Sequence, residues 1–78
     1  MEKEVLRIVA KICKLSVDEL TLDTQLFKSN IISSLGLLEL IDELERQFKI
    51  MILPEELVNE NFSTIKQVIF FVQSKLGD

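Results

Sequence analysis

Ser33-Ser34-Leu35-Gly36-Leu37-Leu38-Glu39-Leu40-Ile41-Asp42-Glu43-Leu44-Glu45-Arg46-Gln47-Phe48 decides how this chain folds. Leu37, Leu40, Ile41, Leu44 and Phe48 recur at helical spacing, so an α-helix gathers them into one apolar stripe and turns Glu39, Glu43 and Arg46 to water. Ser33 is a good N-cap, because its side-chain oxygen can accept from a backbone N–H that the first turn leaves free. A helix is therefore predicted over 34–48. Ser34 then lies at the mouth of an acidic helix, where unpaired N–H groups and the helix dipole favour a phosphate. Leu35 and Leu38 do not join the stripe and fall on the flank shared with Asp42 and Glu45. They either cover neighbouring loop residues or form a docking surface beside Ser34.

The segments around this helix are also amphipathic. Val5, Ile8, Val9, Ile12 and Leu15 recur at helical spacing, with Lys3, Arg7, Lys11 and Lys14 opposite them, which predicts a first helix over residues 2–15. Ser16-Val17-Asp18-Glu19 has the form of a capping box and is expected to start one extra turn. Residues 20–32 read as a long connection, yet Leu22, Leu26, Phe27, Ile31 and Ile32 are too apolar for a free loop and should pin it over the core.

Pro54 suits a first helical turn and Glu55 and Glu56 suit its positive end, so a short helix is predicted from Pro54 to about Asn59. Ser63 or Thr64 caps a last helix whose apolar face is Ile65, Val68, Ile69, Val72 and Leu76, with Phe70 on its polar side. The fold class is all-α: a small four-helix bundle of three long helices and one short one around a single core.

Composition limits what such a bundle can do. With 78 residues, of which 47% are hydrophobic and 28% charged, the chain has room for one small ordered domain. Residues 1–33 balance five basic against five acidic groups, whereas residues 34–78 hold four basic and eight acidic groups and so carry the whole net charge of -4. Nucleic acid and anionic membrane suit this surface poorly; basic protein surfaces suit it well.

Cys13 is the only cysteine and there is no histidine, which excludes an internal disulfide and the common zinc sets. A packed thiol is expected there, in a reducing cytoplasmic setting. The first residues show no targeting segment, and no apolar run approaches the roughly 18 residues of a membrane span. No histidine for general-base work, no glycine-rich phosphate loop and no carboxylate set at metal-ligand spacing is present, so no catalytic residue and no metal is expected.

Leu26-Phe27, followed by Asn30-Ile31-Ile32-Ser33-Ser34-Leu35-Gly36-Leu37-Leu38-Glu39-Leu40, resembles the acyl carrier proteins, and within them the stand-alone carriers of D-alanyl type. Their attachment motif reads glycine, two apolar residues, Asp-Ser-Leu and an acidic amphipathic helix, a frame that puts Ser34 on the modified serine. Leu44-Glu45-Arg46-Gln47-Phe48-Lys49-Ile50, Pro54 and Asn61-Phe62-Ser63-Thr64-Ile65 resemble later family segments, so the likeness covers nearly the whole chain.

Two positions depart from the pattern. Asn30 replaces the glycine, a mild change because Asn tolerates left-handed backbone. Ser33 replaces the aspartate: it caps equally well but removes a carboxylate that a modifying enzyme and its metal could use, so modification is expected to be slow, atypical or absent.

The resemblance implies a single carrier domain over 1–78, of acyl-carrier-protein type, with 4'-phosphopantetheine covalently attached to Ser34 to hold cargo as a thioester. It further implies a phosphopantetheinyl transferase that loads the arm, an adenylating acyl or aminoacyl ligase that charges it, and an acyltransferase or synthase that removes the cargo. Leu35, Leu38, Glu39, Asp42 and Glu43 would guide these partners to a monomeric carrier. D-alanine, another amino acid, a fatty acyl chain and a polyketide starter all remain open as cargo. An unmodified carrier-fold interaction module is the alternative reading.

Overall fold

The computed structural model describes residues 1–27 and 31–77. The substitution of Asn30 for glycine lies outside them. The helices are α1 Glu2–Cys13, α2 Ser34–Phe48, α3 Asn59–Phe62 and α4 Ile65–Lys75, with single 3-10 turns at Val17–Glu19 and Pro54–Glu56. No strand occurs among the described residues, which hold one isolated antiparallel bridge between Gln25 and Thr64. The chain is a helical bundle, as the periodicity predicts.

α1 packs against α2 and α4, and α3 packs against α4. Val5, Ile8 and Val9 from α1, Leu40 and Leu44 from α2, and Ile65, Val68 and Val72 from α4 meet in one buried cluster. Burying each such side chain contributes about 1.5–3 kcal/mol. In the expected α2 stripe Leu40 and Leu44 are fully buried, whereas Leu37, Ile41 and Phe48 pack half-buried at its margins.

The first helix ends at Cys13, two residues short of the expected Leu15. Lys14 adopts left-handed backbone with φ 58°, and the Leu15 N–H returns to the Ala10 carbonyl at 2.9 Å. α2 closes in the same way: Lys49 has φ 56°, and the Ile50 N–H reaches the Glu45 carbonyl at 3.3 Å. Leu15 and Ile50 then fold back onto the core, the apolar contact that accompanies this kind of helix end.

A lysine in the left-handed region costs about 1 kcal/mol, and its charge near the helix C-terminus returns part of that. Lys49→Gly should raise stability by about 0.5 kcal/mol, read as a higher urea midpoint at unchanged slope. A lower midpoint would mean that the lysine's charge and stem outweigh the backbone strain.

The connection before α2 is pinned as its apolar residues predict. Leu20, Leu26 and Ile32 are buried, and Leu22, Phe27 and Ile31 pack half-buried against the core. Backbone bonds stitch it to the start of α4: the Leu26 N–H donates to the Ser63 carbonyl and the Lys66 N–H to the Leu22 carbonyl, both at 2.9 Å. The Ile32 N–H donates back to the Leu26 carbonyl at 3.1 Å. At Ser16 the expected extra turn forms as a 3-10 turn, closed by the Ser16 N–H donating to Glu19 Oε1 at 3.0 Å.

The helix expected from Pro54 to Asn59 is corrected. Pro54–Glu56 makes one 3-10 turn, Leu57 leaves helical backbone at ψ 60°, and Val58 is extended. This segment offers only adjacent Leu57 and Val58, both exposed, so no stripe at helical spacing can be buried there. The chain restarts at Asn59 and carries Phe62 into the core, where its ring lies 5.4 Å from that of Phe71 at 57°.

Glu56 ties the segment down. It accepts from the Leu53 N–H at 2.8 Å and pairs with Lys75 Nζ at 2.9 Å, while its carbonyl accepts from Asn61 Nδ2 at 2.8 Å. The Leu53 N–H, and after it Lys75, hold the Glu56 carboxyl below the usual carboxylate range. Charged, it favours the fold at neutral pH, a contribution lost as pH falls through that lowered value.

On α4 the expected face is corrected at two positions. Phe71 is buried and Leu76 is exposed. The helix packs against α1 on one flank and α3 on another, so its apolar surface is wider than one stripe and ends before Leu76. Phe70 is exposed, as its place on the polar side predicts, with Lys66 Nζ 5.9 Å from its ring centre.

Candidate functional site

Ser34 is the first residue of α2 and is exposed. The preceding connection extends Ser33, with φ -89° and ψ 174°, and Ser33 Oγ accepts from the Gly36 N–H at 3.0 Å. The Leu37 N–H donates to the Ser33 carbonyl at 2.8 Å, which closes the first turn. Ser33 is thereby committed to capping. Ser34 Oγ makes no hydrogen bond among the described residues, and the neighbouring first-turn N–H groups carry the positive end of the helix dipole. A free hydroxyl on a rigid helix end, open to solvent, is what attachment of a bulky phosphate ester requires.

Gly36 fixes how this end is seated, although no role was expected for it. A Cβ there would lie 3.0 Å from Ile32 Cγ1 and 3.4 Å from both Ile12 Cγ2 and Ser33 Oγ. The bare glycine lets the connection and α1 close against the first turn. Its one trace in the sequence is a glycine inside a helix, where it costs about 1 kcal/mol relative to alanine.

Leu35 and Leu38 are 67% and 61% exposed, so they cover little of the neighbouring connection. Glu39 and Asp42 are exposed on the same helix and Glu43 is half-buried. These three share a hollow of about 270 Å³ with Lys11 and Ile12 of α1. Two features of the acidic face are not legible from the helical wheel. Arg46 pairs with Asp42 through Nη2 and with Glu43 Oε1 through Nη1 at 3.0 Å. Glu45 turns inward and accepts from the Ile52 N–H at 2.9 Å, holding the chain after α2. Exposed ion pairs of the Arg46 kind are worth about 0–1 kcal/mol, so they add little to the stability of α2.

Cys13 packs half-buried against the core, and burial pushes its thiol pKa up. That fits a structural thiol and not a nucleophile. No group of three or more metal-ligating side chains occurs among the described residues.

The family described as phosphopantetheine attachment site matches residues 3–72. The chain belongs to that family. A D-alanyl carrier protein from Abiotrophia defectiva is 28% identical over 77 residues, a span covering 99% of this chain and 98% of the relative. Among solved structures, the apo doublet acyl carrier protein from prodigiosin biosynthesis superposes with a TM-score of 0.77 at 26% identity, over 95% of this chain. This chain spans 35% of that doublet's length.

The bundle is thus of acyl-carrier-protein type, and the protein is a carrier whose domain family bears covalent 4'-phosphopantetheine. The free serine hydroxyl at the mouth of α2 fits such a group. Carrier proteins generally catalyse nothing themselves and interact with phosphopantetheinyl transferases and with ligases and synthases. Among the described residues no helix is long and apolar enough to cross a membrane.

Proposed function

We propose that this single carrier domain, residues 1–78, holds its arm on Ser34 and delivers acyl or aminoacyl cargo without catalysis of its own. The observation that carries this reading is the division of labour at the helix mouth: Ser33 Oγ caps Gly36 and Ser34 Oγ stays free. In loading, Ser34 Oγ forms the phosphate ester and gives up its proton while the pyrophosphate bond of coenzyme A breaks and the nucleotide leaves. When bound, the arm supplies the thiol that holds cargo as a thioester.

The chain's own part is to present that serine on a fixed helix and to offer partners a surface. Leu35 and Leu38 supply exposed apolar contact, and Glu39, Asp42 and Glu43 supply negative charge. A transferase, an adenylating acyl or aminoacyl ligase, and a downstream acyltransferase or synthase are the partners this surface serves, in a cytoplasmic setting and with a monomeric carrier. The whole-length likeness to a D-alanyl carrier protein favours a small aminoacyl cargo.

Ser33 lacks the carboxylate that the family's aspartate places beside the attachment point. Ser33→Asp should speed loading by a phosphopantetheinyl transferase and coenzyme A severalfold while leaving the fold intact, since Asp and Ser cap equally. Intact-mass time courses read the rate. An unchanged or slower rate would show that Ser33 is no handicap.

A further inference from the structure

We propose that Arg46 is a built-in competitor for the basic side chains of partners, and that it sets how fast they find the acidic face of α2. This rests on the reading of that face as the partner surface. Arg46 occupies Asp42 and Glu43 together, one nitrogen on each carboxylate. Glu45 accepts from the Ile52 N–H, and Glu39 is the α2 carboxylate with no hydrogen bond or ion pair among the described residues. Lys11 of α1 borders the same hollow.

α2 thus carries four carboxylates and one cation, and of its exposed carboxylates Asp42 is already occupied while Glu39 is open to a partner's cation. Arg46 and Asp42 are 66% and 65% exposed, so the pair is accessible and exchangeable. A partner of matching chemistry carries an arginine or lysine on the surface that meets α2, and its cation replaces Arg46 on Asp42 and Glu43. Arg46 then swings free into solvent. At long range Arg46 offsets one unit of the negative charge that steers a basic partner, and at contact it holds the carboxylates that the partner's cation must take.

The test measures the association of a phosphopantetheinyl transferase with the whole apo carrier by stopped flow across a salt series. Arg46→Gln should raise the association rate about three- to tenfold at low salt and steepen its fall with added salt, because free carboxylates steer more strongly. Arg46→Lys, which restores the charge, should return the rate close to wild type. Lys49→Gln removes an equal charge from the end of α2 without freeing Asp42 or Glu43 and should change rate and slope clearly less. Equal effects in the two variants would reduce Arg46 to its net charge and overturn the competitor role.

Glu39→Lys separates the two layers of the argument. If it slows association while Arg46→Gln changes nothing, the acidic face is the partner surface and the competitor role is overturned. If neither variant changes the rate, the partner-surface reading itself fails. A slower Arg46→Gln would show Arg46 to be a direct partner contact and would equally overturn the proposal. Circular dichroism on each variant confirms that the bundle is intact.

Discussion

Ser34→Ala should abolish loading: incubated with a broad-specificity phosphopantetheinyl transferase and coenzyme A, the variant stays at its apo mass while the wild type gains one phosphopantetheine. The effect should be all or none, because alanine removes the oxygen proposed to form the ester and leaves only Ser33, whose Oγ is engaged by the Gly36 N–H. Ser34 is exposed and its Oγ makes no hydrogen bond among the described residues, so the substitution leaves α2 in place, its cap being Ser33 on the Gly36 N–H. Ser33→Ala gives the opposite pattern. It should still load, but should lose about 1 kcal/mol of stability with the missing cap. Loading retained in Ser34→Ala and lost in Ser33→Ala would move the attachment point by one residue and invert the roles assigned here.

Phe62→Ala should have the largest effect on the fold. Phe62 is 1% exposed, lies tilted against Phe71, and is the one buried side chain of α3. Truncating a buried phenylalanine costs about 3–5 kcal/mol, against the total of about 4–12 kcal/mol expected of a domain this size. The variant should therefore melt at a much lower urea midpoint, or fail to show a cooperative transition, when followed by far-ultraviolet circular dichroism. Phe70→Ala, four residues from Lys66 on the exposed side of α4, should change stability by no more than about 0.5 kcal/mol. Similar losses in both would mean that the aromatic packing of α3 against α4 does not hold the bundle together.

The long elements were legible because period and cap agreed. α2 runs from Ser34 to Phe48 as predicted, since a good N-cap precedes a stripe of strong helix formers. α1 and α4 announced themselves by the same spacing. What failed was local or tertiary in origin. The end of α1 depends on Lys14 entering left-handed backbone, which composition does not signal because glycine is the usual residue there. The stretch from Pro54 to Asn59 carries good helix-start chemistry and no stripe to bury, and the missing stripe won. Phe71 is buried because α3 closes over a flank that a wheel drawn for α4 alone leaves open.

The candidate site was legible in outline and not in its charges. Ser34, Leu35, Leu38, Glu39 and Asp42 stand exposed on one helix; spacing turns Glu39 to water and puts Ser34 at the helix mouth, while it leaves Leu35 and Leu38 open between covering the loop and facing solvent. Two contacts were hidden. The inward turn of Glu45 depends on where Ile52 comes to rest after α2, seven residues on. The double pairing of Arg46 depends on side-chain rotamers, and a count of charges does not tell which carboxylates are already occupied. Gly36 was missed because a close approach is a property of its neighbours Ile32 and Ile12.

Fragment mass spectrometry of the wild-type protein, after loading by a phosphopantetheinyl transferase with coenzyme A, tests the account most directly. A single phosphopantetheine on the peptide spanning Ser33 to Arg46, with the modified fragment beginning at Ser34, is the expected result. No added mass under conditions that load another carrier protein, or an added group found on Ser33, would contradict it.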